Sequence, residues 1–109
     1  MTFMVDVQCK TRYSHNMIRT FACEKTRRLF TREVVKEFVN IAAVAQRRLF
    51  ILNNARVLTD LLVPPGNRLE ALHGDRQGQQ SIRINDQYRL CFTWKEDGPY
   101  DVEITKHYR

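Results

Sequence analysis

QQSIRINDQYRLCFTWKEDGPYDVEITKHYR, residues 79–109, decides the fold. Apolar and polar side chains alternate through it, with breaks at Asn85-Asp86-Gln87 and at Glu96-Asp97-Gly98-Pro99. That pattern predicts three antiparallel strands joined by turns. Register decides which side chains meet across the first hairpin. A three-residue loop, Asn85 to Gln87, sets Ile84 opposite Tyr88, Arg83 opposite Arg89 and Ile82 opposite Leu90. One face then carries Ile82, Ile84, Tyr88, Leu90, Phe92 and Trp94, and the other Ser81, Arg83, Arg89, Cys91 and Thr93. A two-residue loop would mix arginines with the apolar set, so the longer loop is preferred. In the last strand Val102 and Ile104 face the core, leaving Asp101, Glu103, Thr105 and His107 on the arginine face.

Upstream of this run, RLEAL reads as a short strand leading into the turn His73-Gly74-Asp75-Arg76-Gln77-Gly78. Val63-Pro64-Pro65-Gly66-Asn67 ends any helical pattern, because proline fixes φ and removes a donor. Before it, Phe38, Ile41, Ala42, Ala45, Leu49 and Leu52 recur at steps of three or four, the mark of an amphipathic helix with its apolar stripe in the core. Asn53-Asn54 supply its C-terminal residues. A charged helix, EKTRRLFT, precedes it from Glu24 to Thr31, and MIRTFAC, opening at Met17, is strand-like. One strand, two helices and a run of four strands imply an α+β fold, with helices on one face of a mostly antiparallel sheet. Residues 1–16 read as an extension: Phe3, Val5 and Val7 alternate weakly, and TRYSHN links them to the domain 17–109.

The 109 residues suit one domain, and 43% hydrophobic with 28% charged composition excludes a disordered tail. No apolar run approaches the ~20 residues of a membrane span, and MTFMVDVQCK does not read as a secretory leader. Cys9, Cys23 and Cys91 are an odd count without metal-ligand spacing, so reduced thiols in the cytoplasm are expected. Net charge is +6, and thirteen arginines outweigh five lysines. Arginine's planar fork matches phosphate bidentately, which suggests a nucleic-acid or acidic-protein partner.

Arg83 opposite Arg89 sharpens that suggestion, since like charges directly across a sheet are destabilising unless something negative lies near. A phosphate would serve; so would Asp101 and Glu103 on an ordinary solvated face. Other constellations are weaker. His15, His73 and His107 have no metal-binding spacing, and Gly74 and Gly78 fit no phosphate-loop fingerprint. Metal-dependent and covalent catalysis are disfavoured, and no cofactor is expected.

GNRLEALHGDRQGQQSIRINDQYRLCFTW, residues 66–94, resembles the HigB branch of the RelE/ParE toxin superfamily. N-R-L, G-D-R-x-G, S-I-R-[IV]-N and [WY]-R-[LIV]-x-F occur in that family's order and close spacing, and MIRTFACEKTRRLF is similar to its opening. The likeness covers residues 17–109. It implies a RelE-like fold, two N-terminal helices on a curved four- to five-stranded sheet. It also implies the toxin of a type II toxin–antitoxin system, partnered by a HigA-type antitoxin and meeting operator DNA only through it. Toxins of this kind are ribosome-dependent messenger-RNA endonucleases that need no metal; the substrate's 2′-hydroxyl attacks the adjacent phosphate. The resemblance assigns phosphate stabilisation to Arg83 and Arg89, and proton transfer or orientation to Glu70, His107 and Tyr108. Arg68, His73, Arg76, Lys106 and Arg109 would hold messenger and ribosomal RNA.

Two departures stand out. HigB toxins commonly end Asp-Tyr-His, whereas this chain ends Lys106-His107-Tyr108-Arg109, with His and Tyr transposed and Lys106 at the acidic position. Glu70 stands where some HigB proteins carry a histidine. Either the proton-transfer roles have shifted, or this copy is slow or inactive and acts mainly as an antitoxin-binding module. A ParE-like gyrase inhibitor is a third reading, opposed by the G-D-R and S-I-R-I-N elements.

Overall fold

Four strands in sequence order make the sheet: β1 (Glu70–Ala71), β2 (Gln80–Arg83), β3 (Tyr88–Lys95) and β4 (Gly98–Lys106), each antiparallel to the next. They belong to a computed structural model that describes residues 17–106. The expected extension 1–16, Cys9, His107, Tyr108 and Arg109 lie outside the described residues. Two helices cover one sheet face: α1 (Glu24–Phe30) and α2 (Ala42–Asn54).

The first hairpin folds in the expected register. Ile82 pairs with Leu90 and Arg83 with Arg89, and the Ile84 N–H donates to the Tyr88 carbonyl at 3.0 Å. Asn85 closes the loop: its Oδ1 accepts from the backbone N–H groups of Gln87 and Tyr88, both at 2.8 Å. Ile82, Ile84, Leu90, Phe92, Val102 and Ile104 are buried, and Leu29, Phe38, Ile41, Ala45, Leu49 and Leu52 meet them from the helical layer. Thr26 stitches α1 to β4, its buried Oγ1 accepting the Ile104 N–H at 3.0 Å.

Several expectations need correction. The predicted single helix through Phe38 and Leu52 is split: Lys36–Ile41 is a 3₁₀ helix, and α2 starts only at Ala42. Val39, Asn40 and Ile41 are poor α-helix formers, and a 3₁₀ turn still puts Phe38 and Ile41, three apart, on one side. RLEAL is a regular strand only at Glu70 and Ala71, with the Leu72 N–H still donating to the Gln79 carbonyl at 2.8 Å; it starts late because Arg68 takes a left-handed conformation, φ 49° and ψ 59°. The second turn is the two residues Glu96-Asp97; Gly98 and Pro99 already pair with Lys95 and Trp94.

MIRTFAC is not a regular strand. It runs parallel to β4, joined by a bridge of Phe21 to Val102 and by the Arg19 N–H on the Pro99 carbonyl at 2.9 Å. It meets a bulge in β4. Cys91 pairs with Glu103 but Thr93 with Tyr100, so two steps on β3 meet three on β4. Asp101 within it has φ 55°, and its N–H goes to Thr20 Oγ1 at 2.8 Å. Strict alternation therefore stops at Asp101, which turns to the Thr20 edge while Glu103 keeps its place opposite Cys91.

Candidate functional site

Three segments distant in the chain meet at one guanidinium. Arg89 sits on β3, on the face turned away from the helices, and its side chain is only 8% exposed. Nε donates to Ser81 Oγ of β2 at 2.7 Å, and Ser81 is itself fully buried. Nη2 donates to the Arg68 carbonyl at 2.8 Å and lies 3.4 Å from Glu70 Oε1 on β1. Asn67-Arg68-Leu69, Ser81-Ile82-Arg83 and Tyr88-Arg89-Leu90 thus converge on one charge. Among the described residues Nη1 meets no acceptor.

The carbonyl of Arg68 reaches Arg89 because the chain turns sharply there. Fully buried Asn67 clamps the approach, with Nδ2 donating to the Leu61 carbonyl at 3.1 Å and the Val63 carbonyl at 3.3 Å. The Arg68 N–H returns to the Pro65 carbonyl at 3.1 Å. A left-handed conformation costs a non-glycine residue about 1–2 kcal/mol, so the surrounding bonds hold Arg68 in it. Its side chain is exposed.

Arg83 and Arg89 are cross-strand partners, yet their guanidiniums are engaged differently. Arg83 Nη2 pairs with Asp86 Oδ1, on a loop residue whose side chain is 95% exposed. The Arg83 carbonyl accepts from Arg48 Nε of α2 at 2.8 Å. Partial burial pushes the Arg48 pKa down, and the like charges of Arg47 and Arg83 add to the effect. Three arginines thus gather where α2 meets the end of β2.

Arg76, half-buried, donates to Gln79 Oε1 at 2.9 Å and Glu103 Oε1 at 3.1 Å. Glu103 therefore neutralises Arg76, while Glu70 and Asp86 serve Arg89 and Arg83. His73 and Lys106 are exposed, Lys106 at the end of β4 opposite Tyr88. The structure brings together Glu70, Arg89 and the Arg68 backbone, with Arg83 as neighbour; His107, Tyr108 and Arg109 are outside the described residues.

Sequence reasoning placed Ser81 on the arginine face without a role, and gave none to Asn67 or Arg48. The signal for Ser81 was present: a small hydroxyl diagonal to Arg89 across a defined register. Among the described residues no three His, Cys, Asp or Glu side chains are grouped to hold a metal ion, and no helix is long and apolar enough to cross a membrane. Cys23 and Cys91 are free thiols, and Cys91 Sγ lies 3.4 Å from Thr105 Oγ1.

The sequence has relatives. "Toxin HigB-1" of Vibrio cholerae is 44% identical over 61 residues, which cover 56% of this chain and 64% of that toxin. The chain thus matches just under two thirds of that relative's length. An uncharacterized protein of Haemophilus influenzae is 31% identical over 68 residues, 62% of this chain and 67% of that protein. Residues 13–107 match the family described as the RelE-like toxin of the type II toxin-antitoxin system HigB, a span holding all three segments that meet at Arg89. The chain belongs to the HigB-like family of RelE-like toxins.

Proposed function

We propose that this chain is the toxin of a type II toxin–antitoxin pair and cleaves messenger RNA on the ribosome, arresting translation. The observation that carries this reading is the Arg89 guanidinium, more than nine-tenths buried and held by the protein along one edge, with the Glu70 carboxylate 3.4 Å away. A charge so placed is preorganised for an anion, and anions that develop in a transition state gain most from such groups.

In this reading Glu70 accepts the proton of a ribose 2′-hydroxyl, whose oxygen then attacks the adjacent phosphorus. Arg89, helped by Arg83, bears the charge growing on the non-bridging oxygens. The bond to the 5′-oxygen breaks, leaving a 2′,3′-cyclic phosphate and a 5′-hydroxyl end. A proton reaches the departing oxygen from His107 or Tyr108, the residues to which the resemblance gives proton transfer or orientation. Arg68, His73, Arg76 and Lys106 hold messenger and ribosomal RNA through phosphate contacts. A HigA-type antitoxin neutralises the chain in the cytoplasm and carries it to operator DNA.

The test is expression with and without the antitoxin, followed by mapping of messenger ends. Growth arrest with new 5′-hydroxyl ends, both suppressed by the antitoxin, is expected. Intact messenger during arrest would assign the chain another target, and arrest with relaxed DNA would point to gyrase.

A further inference from the structure

The Arg89 guanidinium is fixed at two points along one edge. Nε meets Ser81 Oγ at 2.7 Å and Nη2 meets the Arg68 carbonyl at 2.8 Å. Those donors are spent on the protein, so the plane and tilt of the fork are set before any ligand arrives. Neither fixing group carries charge or reaches the surface as a side chain. Ser81 is fully buried, and Arg68 contributes only its backbone carbonyl. The carbonyl points correctly because Asn67, also fully buried, clamps the turn to Leu61 and Val63, and because Arg68 is held left-handed. A buried serine could pair with any donor, and a left-handed arginine on a loop needs a reason. Here both features end on the same side chain.

We propose that Ser81 and the Asn67-Arg68 turn are positioning residues that set the plane of the Arg89 guanidinium, so that Nη1, which meets no acceptor among the described residues, faces the scissile phosphate. The proposal rests on the reading that Arg89 meets phosphate, and it adds which edge does so and what sets it. Glu70 touches the same guanidinium but is half exposed, leaving it mobile enough for proton transfer. Ser81 and Asn67 are fully buried and tied by hydrogen bonds. Misplacing a catalytic group by about 1 Å costs on the order of 100-fold in rate, so a rigid mount of this kind has a measurable effect.

The experiment uses the full chain with Ser81→Ala, Ser81→Thr and Arg89→Ala. Two readouts are taken: cleavage on messenger-programmed ribosomes, and solvent exchange of the Arg89 Nε proton by nitrogen-15 NMR. Ser81→Ala should lower the maximal cleavage rate by about 10- to 100-fold while the concentration for half-maximal rate stays within about twofold. Its Arg89 Nε proton should exchange at least about tenfold faster, with the backbone amide spectrum unchanged. Ser81→Thr keeps the acceptor oxygen and should restore both readouts. A merely structural serine would lower stability without moving either one. Should Ser81→Ala cleave like the parent and keep its Nε proton protected, the positioning role is overturned. If the parent chain cleaves no better than Arg89→Ala, the nuclease reading fails, while proton exchange still decides whether Ser81 mounts the guanidinium.

Discussion

Arg89 and Glu70 form an unequal ion pair: Nη2 and Oε1 are 3.4 Å apart, the arginine side chain 8% exposed and the glutamate 56%. Because one partner is desolvated and the other is wet, the two are not interchangeable in energy or in role. Removing the glutamate leaves Arg89 its bonds to Ser81 and the Arg68 carbonyl. Removing the arginine leaves both acceptors unpaired.

Glu70→Gln should therefore still fold, losing about 1–3 kcal/mol, because the desolvated guanidinium keeps its neutral acceptors but loses its counter-charge. Cleavage should fall by about 10²–10⁴-fold if the carboxylate takes the 2′-hydroxyl proton. Urea unfolding beside a cleavage time course separates the two effects. A variant that keeps its full rate would move the base elsewhere.

Arg89→Ala should cost about 1–3 kcal/mol in unfolding free energy, the price of a buried acceptor left without a donor. Arg89→Lys restores the charge but not the planar edge that spans Ser81 and Arg68, so it should recover less than half of that loss. Both should cut cleavage by about 10²–10³-fold, as removal of one charge-stabilising donor does. Equal rates for Lys and Arg would show that charge alone suffices.

At the first hairpin, Asn85 and Asp86 are adjacent but unequal. Asn85 Oδ1 accepts two backbone N–H groups of the loop, whereas Asp86 reaches only the Arg83 side chain from a nearly fully exposed position. Asn85→Ala should destabilise by about 1 kcal/mol, and Asp86→Ala by less than about 0.5 kcal/mol. Thermal melts of the two variants should rank them in that order.

Acid should loosen the helical layer first. Glu24, Glu33 and Glu37 are held below the usual carboxylate range by hydrogen bonds from Arg27, Arg28 and Lys25 respectively. A lowered folded-state pKa contributes stability that is present above the ordinary value of 4.5 and is lost as pH falls through the folded value. All three pairs are exposed, so salt should blunt the effect. Melting temperature followed from pH 6 to pH 3 should fall less steeply at about 1 M salt than at about 0.05 M.

The hairpin was legible because only one loop length separates Arg83 and Arg89 from Ile82, Ile84 and Leu90. Alternation carried that inference, and the buried set agrees with it. Family resemblance led to the family, and the match over residues 13–107 supports it. The Asp101 bulge was not legible, since its reason is Thr20, 81 positions earlier. Nor was the helical break at Ile41, where spacing by three fits both helix types. Charge on a sheet face reads as solvated, so the burial of Arg89 also escaped notice. Its depth comes from a turn at Asn67-Arg68 that no periodicity announces.

The stitching of residues 18–26 to β4 bears on how the chain is made. Arg19 Nε bonds the Asp97 carbonyl and Thr26 Oγ1 takes the Ile104 N–H across 78 positions; Thr20 and Asp101 meet across 81. Such contacts close the largest loops in the fold, and β4 also supplies Val102 and Ile104 to the core. Chain synthesis runs from the other end. An emerging polypeptide holds α1 and α2 long before the strand that fastens them, and Arg89 gains a finished sheet around it only after β4 is released. The machine that makes this chain is the one it is proposed to attack, and the order of assembly withholds the folded form until β4 itself has been translated and released.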